Sequence, residues 1–258
     1  MTTATTQTVT APRPSRLDRE VAMRLAATEY QGLAQLLGRL DEADWVRRTD
    51  CPDWDVRSMA AHNLGMAEMS ASIFEQRRQM KAAKAAGGRF VDALTDLQVR
   101  KHADESGQQI ARKFGDVGAK AAKARRRTPA FIRKRTMPEP QRLNGVDEMW
   151  TLGYLIDVIL TRDVWMHRVD IARATGRELM LTAEHDGVLI DNVVDEWADR
   201  HGQPFTLRLH GPAGGSWTRG DGGAELALDA VEFCRILSGR APAQSALSDG
   251  LLTTEVPF

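Results

Sequence analysis

The feature that most limits how this chain can fold is a set of long segments whose apolar residues recur every three or four positions. In the stretch 17–40 the row is Val21, Leu25, Leu33, Leu36, Leu37 and Leu40. In 55–86 it is Met59, His62, Met66, Met69 and Ile73, and in 146–174 it is Leu152, Ile156, Ile159, Asp163, His167 and Ile171. This spacing predicts amphipathic helices. Pro52 disfavours helix just before it, so Asp55 is placed to cap the second helix by accepting a backbone N–H bond. Gly87-Gly88 stops that helix, and Gly176 stops the one over 146–174. A further helix, of weaker periodicity, is predicted over 92–127. Four long helices predict a four-helix bundle spanning 16–178.

After Gly176 the pattern changes. A helix over 183–201 ends at Gly202, and Phe205-Thr206-Leu207-Arg208-Leu209-His210 alternates apolar and polar residues as a strand does. Residues 211–215 read as a turn, and Trp217 and 224–228 as further strands. Asp229 opens a short helix, with Glu232 three residues on completing a capping box, and Gly239 closes it. The fold class is therefore mainly α, with a small α+β domain over 179–258.

Composition narrows the partners. The chain has 258 residues, 42% of them hydrophobic, enough for a real core. Lys and Arg total 35 against 35 Asp and Glu, so net charge favours neither a nucleic-acid nor a membrane partner. Between Arg77 and Arg135 bases exceed acids by about a dozen, an asymmetry that can mark a binding surface. The run from Lys120 to Arg135 has only Phe131 as an interleaved aromatic, which argues for a solvated or partner-facing helix rather than nucleic acid. Two cysteines and no Cys-x-x-Cys fit a reducing, cytoplasmic compartment. Residues 1–15 are Thr-rich with Pro12 and Pro14, lack a signal-peptide core, and are expected to form a disordered tail. No stretch has the apolar length of a membrane span. Bundles commonly pair, so a homodimer stays open.

Two predicted helices carry ionisable groups within apolar rows. Asp163 and His167 are four apart and so share a helix face, while His62 comes from another helix. If the faces meet, the three make a His/Asp/His cluster, the composition of a divalent-metal site. Zinc accepts histidine nitrogen and carboxylate oxygen, and a catalytic zinc keeps a position open beside three protein ligands. The plainer alternative is a core histidine with one hydrogen bond, and Asp163 paired with His167 or an arginine. A buried carboxylate demands some partner without saying which. Cys51, beside Pro52 and Trp54, reads as packing, and Cys234 as core. His102, His185, His201 and His210 lack partners at ligand spacing and read as exposed or capping. Gly211 and Gly214-Gly215 lack the lysine of a phosphate loop.

The segment Asp50-Cys51-Pro52-Asp53-Trp54-Asp55-Val56-Arg57, followed by Ala61-His62-Asn63-Leu64, resembles the second-helix region of the mycothiol-dependent maleylpyruvate isomerase-like proteins, within the wider DinB-like four-helix group. Arg162-Asp163 through His167-Arg168-Val169-Asp170-Ile171 is similar to their metal-bearing last helix, and Asp229 to Gly239-Arg240 to the end of their C-terminal domain. The resemblance implies a DinB-like bundle and a Zn2+ site, or one for another divalent metal, from His62, Asp163 and His167. It also implies a low-molecular-weight thiol such as mycothiol as cosubstrate. The activity implied is isomerase or transferase chemistry on an electrophilic small molecule. Arg240 falls in the family's Gly-Arg motif and is expected to act in catalysis by holding a substrate carboxylate. One departure stands out: the isomerase pattern has Glu where this chain has Asp163, one methylene shorter. Asp163 either still ligates or drops back to orient His167. The rival expectation is a non-catalytic DinB-like binding module that has lost its metal, with the basic helix docking a partner.

Overall fold

A computed structural model describes residues 11–243 and 250–258. Helix α1 (Arg19–Leu37) starts at Asp18, whose carboxylate accepts the Glu20 and Val21 amides. Helix α2 (Val56–Ala71) starts at Asp55 as expected, through a 2.7 Å bond from the Ser58 amide. It does not run to Ala86. At Ser72 the backbone turns extended (φ −138°), and the Ser72 hydroxyl caps a new helix, α3 (Ile73–Ala86). The helix expected over 92–127 is likewise two, α4 (Phe90–Lys101) and α5 (Gly107–Arg127). Ser106 and Gln109 form a reciprocal capping box that begins α5. Gly107 is required there, because a β-carbon would fall 2.0 Å from the Trp45 indole. A single turn, α6 (Ala130–Arg133), follows.

The start of the expected last bundle helix is instead strand β2 (Val146–Glu148), which forms a hairpin with β1 (Gln141–Leu143). Asn144 and Gly145 both have positive φ (50° and 74°), the pairing that tight two-residue hairpins need. The helix then starts as α7 (Leu152–Tyr154), continues as a π turn (Leu155–Ile159), and becomes α8 (Leu160–Thr175). The π turn shifts the inward row, so Asp157, Val158 and Ile159 are buried while Ile156 is only partly so. Arg125 of α5 donates to the Ile156 and Leu160 carbonyls and to Thr161 Oγ1, satisfying groups the π geometry disturbs. Arg125 is therefore a buried structural cation within the run expected to be solvated; Lys120 and Lys123 are exposed.

The bundle is α1, α2, α5 and α8, with Tyr30, Leu33, Met59, Leu64, Ile110, Phe114, Val164 and Ile171 in its core. Helices α3 and α4 form an excursion beside α2. Beyond Gly176, which closes α8 in the left-handed conformation, come a second π turn (Ala183–Gly187) and α9 (Val188–His201). Strands β3 (Phe205–His210), β4 (Gly215–Arg219) and β5 (Ala224–Asp229) form a sheet of order β4-β3-β5, with β3 antiparallel to β4 and parallel to β5. Helix α10 (Ala230–Leu237) follows. Asp229 caps it, but the Glu232 carboxylate pairs with Arg235 instead of completing the expected capping box.

A second core joins Trp197, Phe205, Leu207, Phe233 and Cys234 to Trp165, Met166 and Val169 of α8. One helix thus serves both cores, which is why α8 is buried on most sides and lacks a single apolar stripe. Of the expected tail, residues 1–10 lie outside the described residues. Within 11–15 Arg13 is paired in a β-bridge: its amide donates to Met149 O at 2.8 Å, and the Thr151 amide to Arg13 O at 3.0 Å. Among the described residues no helix is long and apolar enough to cross a membrane.

Candidate metal centre

The packing of α2 against α8 brings the three residues together. His62, Asp163 and His167 each offer one ligand atom within 4.8 Å of the other two. His167 Nε2 stands 3.3 Å from Asp163 Oδ1, and His62 Nε2 stands 3.7 Å from Asp163 Oδ2. Both imidazoles are buried, and Asp163 is the partly open member at 21% side-chain exposure. The rings meet edge to face at 5.4 Å, and Trp54 lies beside both, at 5.0 Å from His62 and 5.7 Å from His167.

The distances bear on whether an ion fits. Both imidazole–carboxylate gaps exceed good hydrogen bonds. Donors about 2.05 Å from a tetrahedral zinc lie about 3.3 Å from one another, close to the gaps found. Neither His62 Nδ1 nor His167 Nδ1 makes a hydrogen bond, though both are buried. Three convergent N/O donors, one edge open, suit zinc or a similar divalent ion. The two oxygens of Asp163 face the two rings, one each.

The electrostatics are those of a carboxylate among imidazoles. Burial pushes the Asp163 pKa up, but His167 and His62 outweigh it and hold the carboxyl well below the usual range. For His167, burial works against the charged ring, and the Asp163 carboxylate overrides it, raising the pKa to about 9. An ion entering this site displaces a proton.

A ring of residues from both cores surrounds the trio. Asp170, fully buried, has Oδ2 3.4 Å from His167 Nδ1. Arg240 Nε donates to both Asp170 oxygens, at 3.0 and 2.8 Å, and its Nη2 lies 3.9 Å from Cys51 Sγ. Burial pushes the Cys51 thiol up, with Arg240 opposing. Asp50 accepts from Arg173 Nε and Arg235 Nη2, pinning the loop that carries Cys51 and Trp54 to α8 and α10. Arg240 also borders a cavity of about 230 Å3 with Leu237, Ser238, Val256, Pro257 and Phe258. Neither this cavity nor a second one, among Arg13, Tyr154 and Asp195, is lined by any of the trio.

The sequence reading overlooked Asp170, although it lies three residues beyond His167 and so on the same side of α8. It also misjudged two histidines. His102 is 2% exposed between Glu68 and Glu105, in the break between α4 and α5. His185 Nε2 lies 2.7 Å from Glu29 Oε2 in a second buried cluster.

Two solved structures share this fold. The mycothiol-dependent maleylpyruvate isomerase has a TM-score of 0.55 at 15% identity, with 87% of this chain and 90% of that one covered. A histidine-to-alanine mutant of it gives 0.54 at the same identity and coverage. No curated protein matches the chain. The family described as "Mycothiol maleylpyruvate isomerase N-terminal domain" matches residues 26–172, more than half of the chain and the span that holds all three candidate ligands. The chain belongs to that mycothiol maleylpyruvate isomerase N-terminal domain family.

Proposed function

We propose that this protein is a metal-dependent enzyme that uses a low-molecular-weight thiol, mycothiol or a close analogue, to isomerise or modify an electrophilic small molecule. The observation that carries the reading is the meeting of His62, Asp163 and His167 at donor separations that suit one divalent ion. Family membership and the fold shared with an enzyme of that activity support it.

In this reading His62 and His167 offer Nε2, and Asp163 supplies the negative charge that makes the site prefer a cation. His62, Asp163 and His167 would hold a zinc or similar ion, whose Lewis acidity would favour the thiolate form of an incoming thiol at neutral pH. No protein nucleophile is then required, in keeping with a Cys51 thiol pushed up by burial. Trp54 shields the two imidazoles from water on one side. Arg240, whose Nε is held by Asp170, also borders a cavity, where the rest of its guanidinium would hold a substrate carboxylate. Thiolate addition to a double bond, rotation about the resulting single bond and elimination would return the thiol and leave the isomerised product. The free Cys51 and Cys234 suit a reducing cytoplasm.

Metal analysis of protein prepared without chelator tests the reading. About one zinc per chain, absent from His62→Ala, together with zinc-dependent isomerisation of maleylpyruvate in the presence of mycothiol, is the expected result. A metal-free protein whose melting ignores chelator and added zinc removes the enzyme and leaves the non-catalytic binding module.

A further inference from the structure

Arg240 belongs to the C-terminal unit, just beyond α10, yet its closest ionic partner is on the shared helix α8. Its Nε donates to both oxygens of Asp170, which has no solvent exposure. Asp170 Oδ2 in turn faces His167 Nδ1 at 3.4 Å, and that buried nitrogen makes no hydrogen bond. If His167 Nε2 is to hold an ion, the ring must be neutral with its proton on Nδ1. The acceptor facing that proton then fixes the tautomer and the plane of the ring. Asp170 stands in that place. Asp170 is cut off from water, and Arg240 is the cation that pairs with it.

We propose that Arg240 is a positioning residue of the metal centre: acting through Asp170, it sets the orientation and tautomer of His167 and ties the C-terminal unit to the ion affinity of the bundle. The proposal rests on the metal reading above and deepens it. It also separates two roles for the same guanidinium. A residue that only held a substrate carboxylate would leave ion affinity unchanged in the absence of substrate.

The test is zinc affinity of the full chain, without substrate, by competition with a chromophoric chelator at fixed pH. Asp170→Asn is expected to weaken zinc by about 10- to 100-fold. Arg240→Gln is expected to weaken it by about tenfold, and Arg240→Lys, which keeps a cation beside Asp170, to recover most of that loss. The Arg240→Gln/Asp170→Asn double variant should bind no worse than Asp170→Asn alone, because both changes cut one chain of contacts. Co2+-loaded Arg240→Gln should also show a shifted visible spectrum, reporting a reoriented ring. Wild-type zinc affinity in Arg240→Gln, or losses that simply add in the double variant, overturns the relay. Should Arg240→Gln fail to fold, unchanged affinity in Asp170→Asn overturns it equally. If the wild-type chain takes up no zinc, the metal reading falls and the relay with it. If the wild type binds zinc and Arg240→Gln binds as well, only the relay falls.

Discussion

Helix α8 contributes to two buried clusters of histidine and carboxylate, and they differ in what fills the cation's place. Glu29, His185 and Asp186 bring ligand atoms within 4.8 Å of one another, just as His62, Asp163 and His167 do. In the first cluster Arg168 already fills the cation's place. It donates to Glu29 Oε1 at 2.6 Å, to Glu29 Oε2 at 3.1 Å and to Asp186 Oδ1 at 2.7 Å. The Trp165 indole and the Thr182 amide also donate to Asp186. In the second cluster, among the described residues, no guanidinium reaches Asp163, the gaps are longer, and two ring nitrogens lack partners. Residue types and proximity are alike. A built-in cation makes the first a structural joint between α1, α8 and the start of α9, and its absence leaves the second fit for an ion.

The largest effect expected from this contrast is at Arg168. Arg168→Ala leaves two buried carboxylates without their guanidinium and should cost about 3–5 kcal/mol in urea unfolding of metal-free protein. A cost below about 1 kcal/mol would show that the first cluster needs no resident cation and would break the comparison. The next effect is linkage to metal. Zinc at about 100 times its Kd should raise wild-type stability by about 2.7 kcal/mol. His185→Ala should keep that gain relative to its own metal-free form, while His62→Ala should lose it. Equal gains in both variants would mean that zinc binds elsewhere.

The third effect is on pH. The His167 pKa is raised to about 9, so its proton competes with the ion over most of the neutral range. Apparent zinc affinity should climb about tenfold per pH unit as pH rises toward about 9 and level off above it. In metal-free protein the sign is opposite for stability. A pKa raised by folding contributes fully below about 6.5, and that contribution is lost as pH rises through about 9. Zinc titrations and urea midpoints across that range read both trends, and a flat zinc affinity would rule out His167 as a ligand. The smallest effect concerns side-chain length. Asp163→Glu should change zinc affinity by less than about tenfold, since only the reach of the same carboxylate differs. A fall beyond about 100-fold would show that the gap between α2 and α8 is set for aspartate.

Much of the local structure was legible in the sequence. Asp55, Gly176 and Gly202 act where their chemistry placed them, and the alternation from Phe205 to His210 is a strand. The Asn144-Gly145 turn signal is legible in the sequence, but the helix expected from 146 extends the apolar period of 152–171 too far upstream and covers strand β2. The break at Ser72 was hidden for another reason. Serine serves in helix interiors and at caps alike, and only the packing of α3 beside α2 selects the cap. The π turn left no local sign, because its disturbed carbonyls are satisfied by Arg125 from a distant helix.

The site divides along the same line. The sequence by itself determined which side chains are available: period and spacing put His62 in one apolar row and Asp163 with His167 in another, and those are short-range properties of a helix. Tertiary structure alone decided their partners. Arg168 went to Glu29 and Asp186, Arg240 to Asp170, and Asp163 was left facing two imidazoles. Charges pair by distance in space and by what water they lose, and the partners of these ions are brought together from segments up to 139 residues apart.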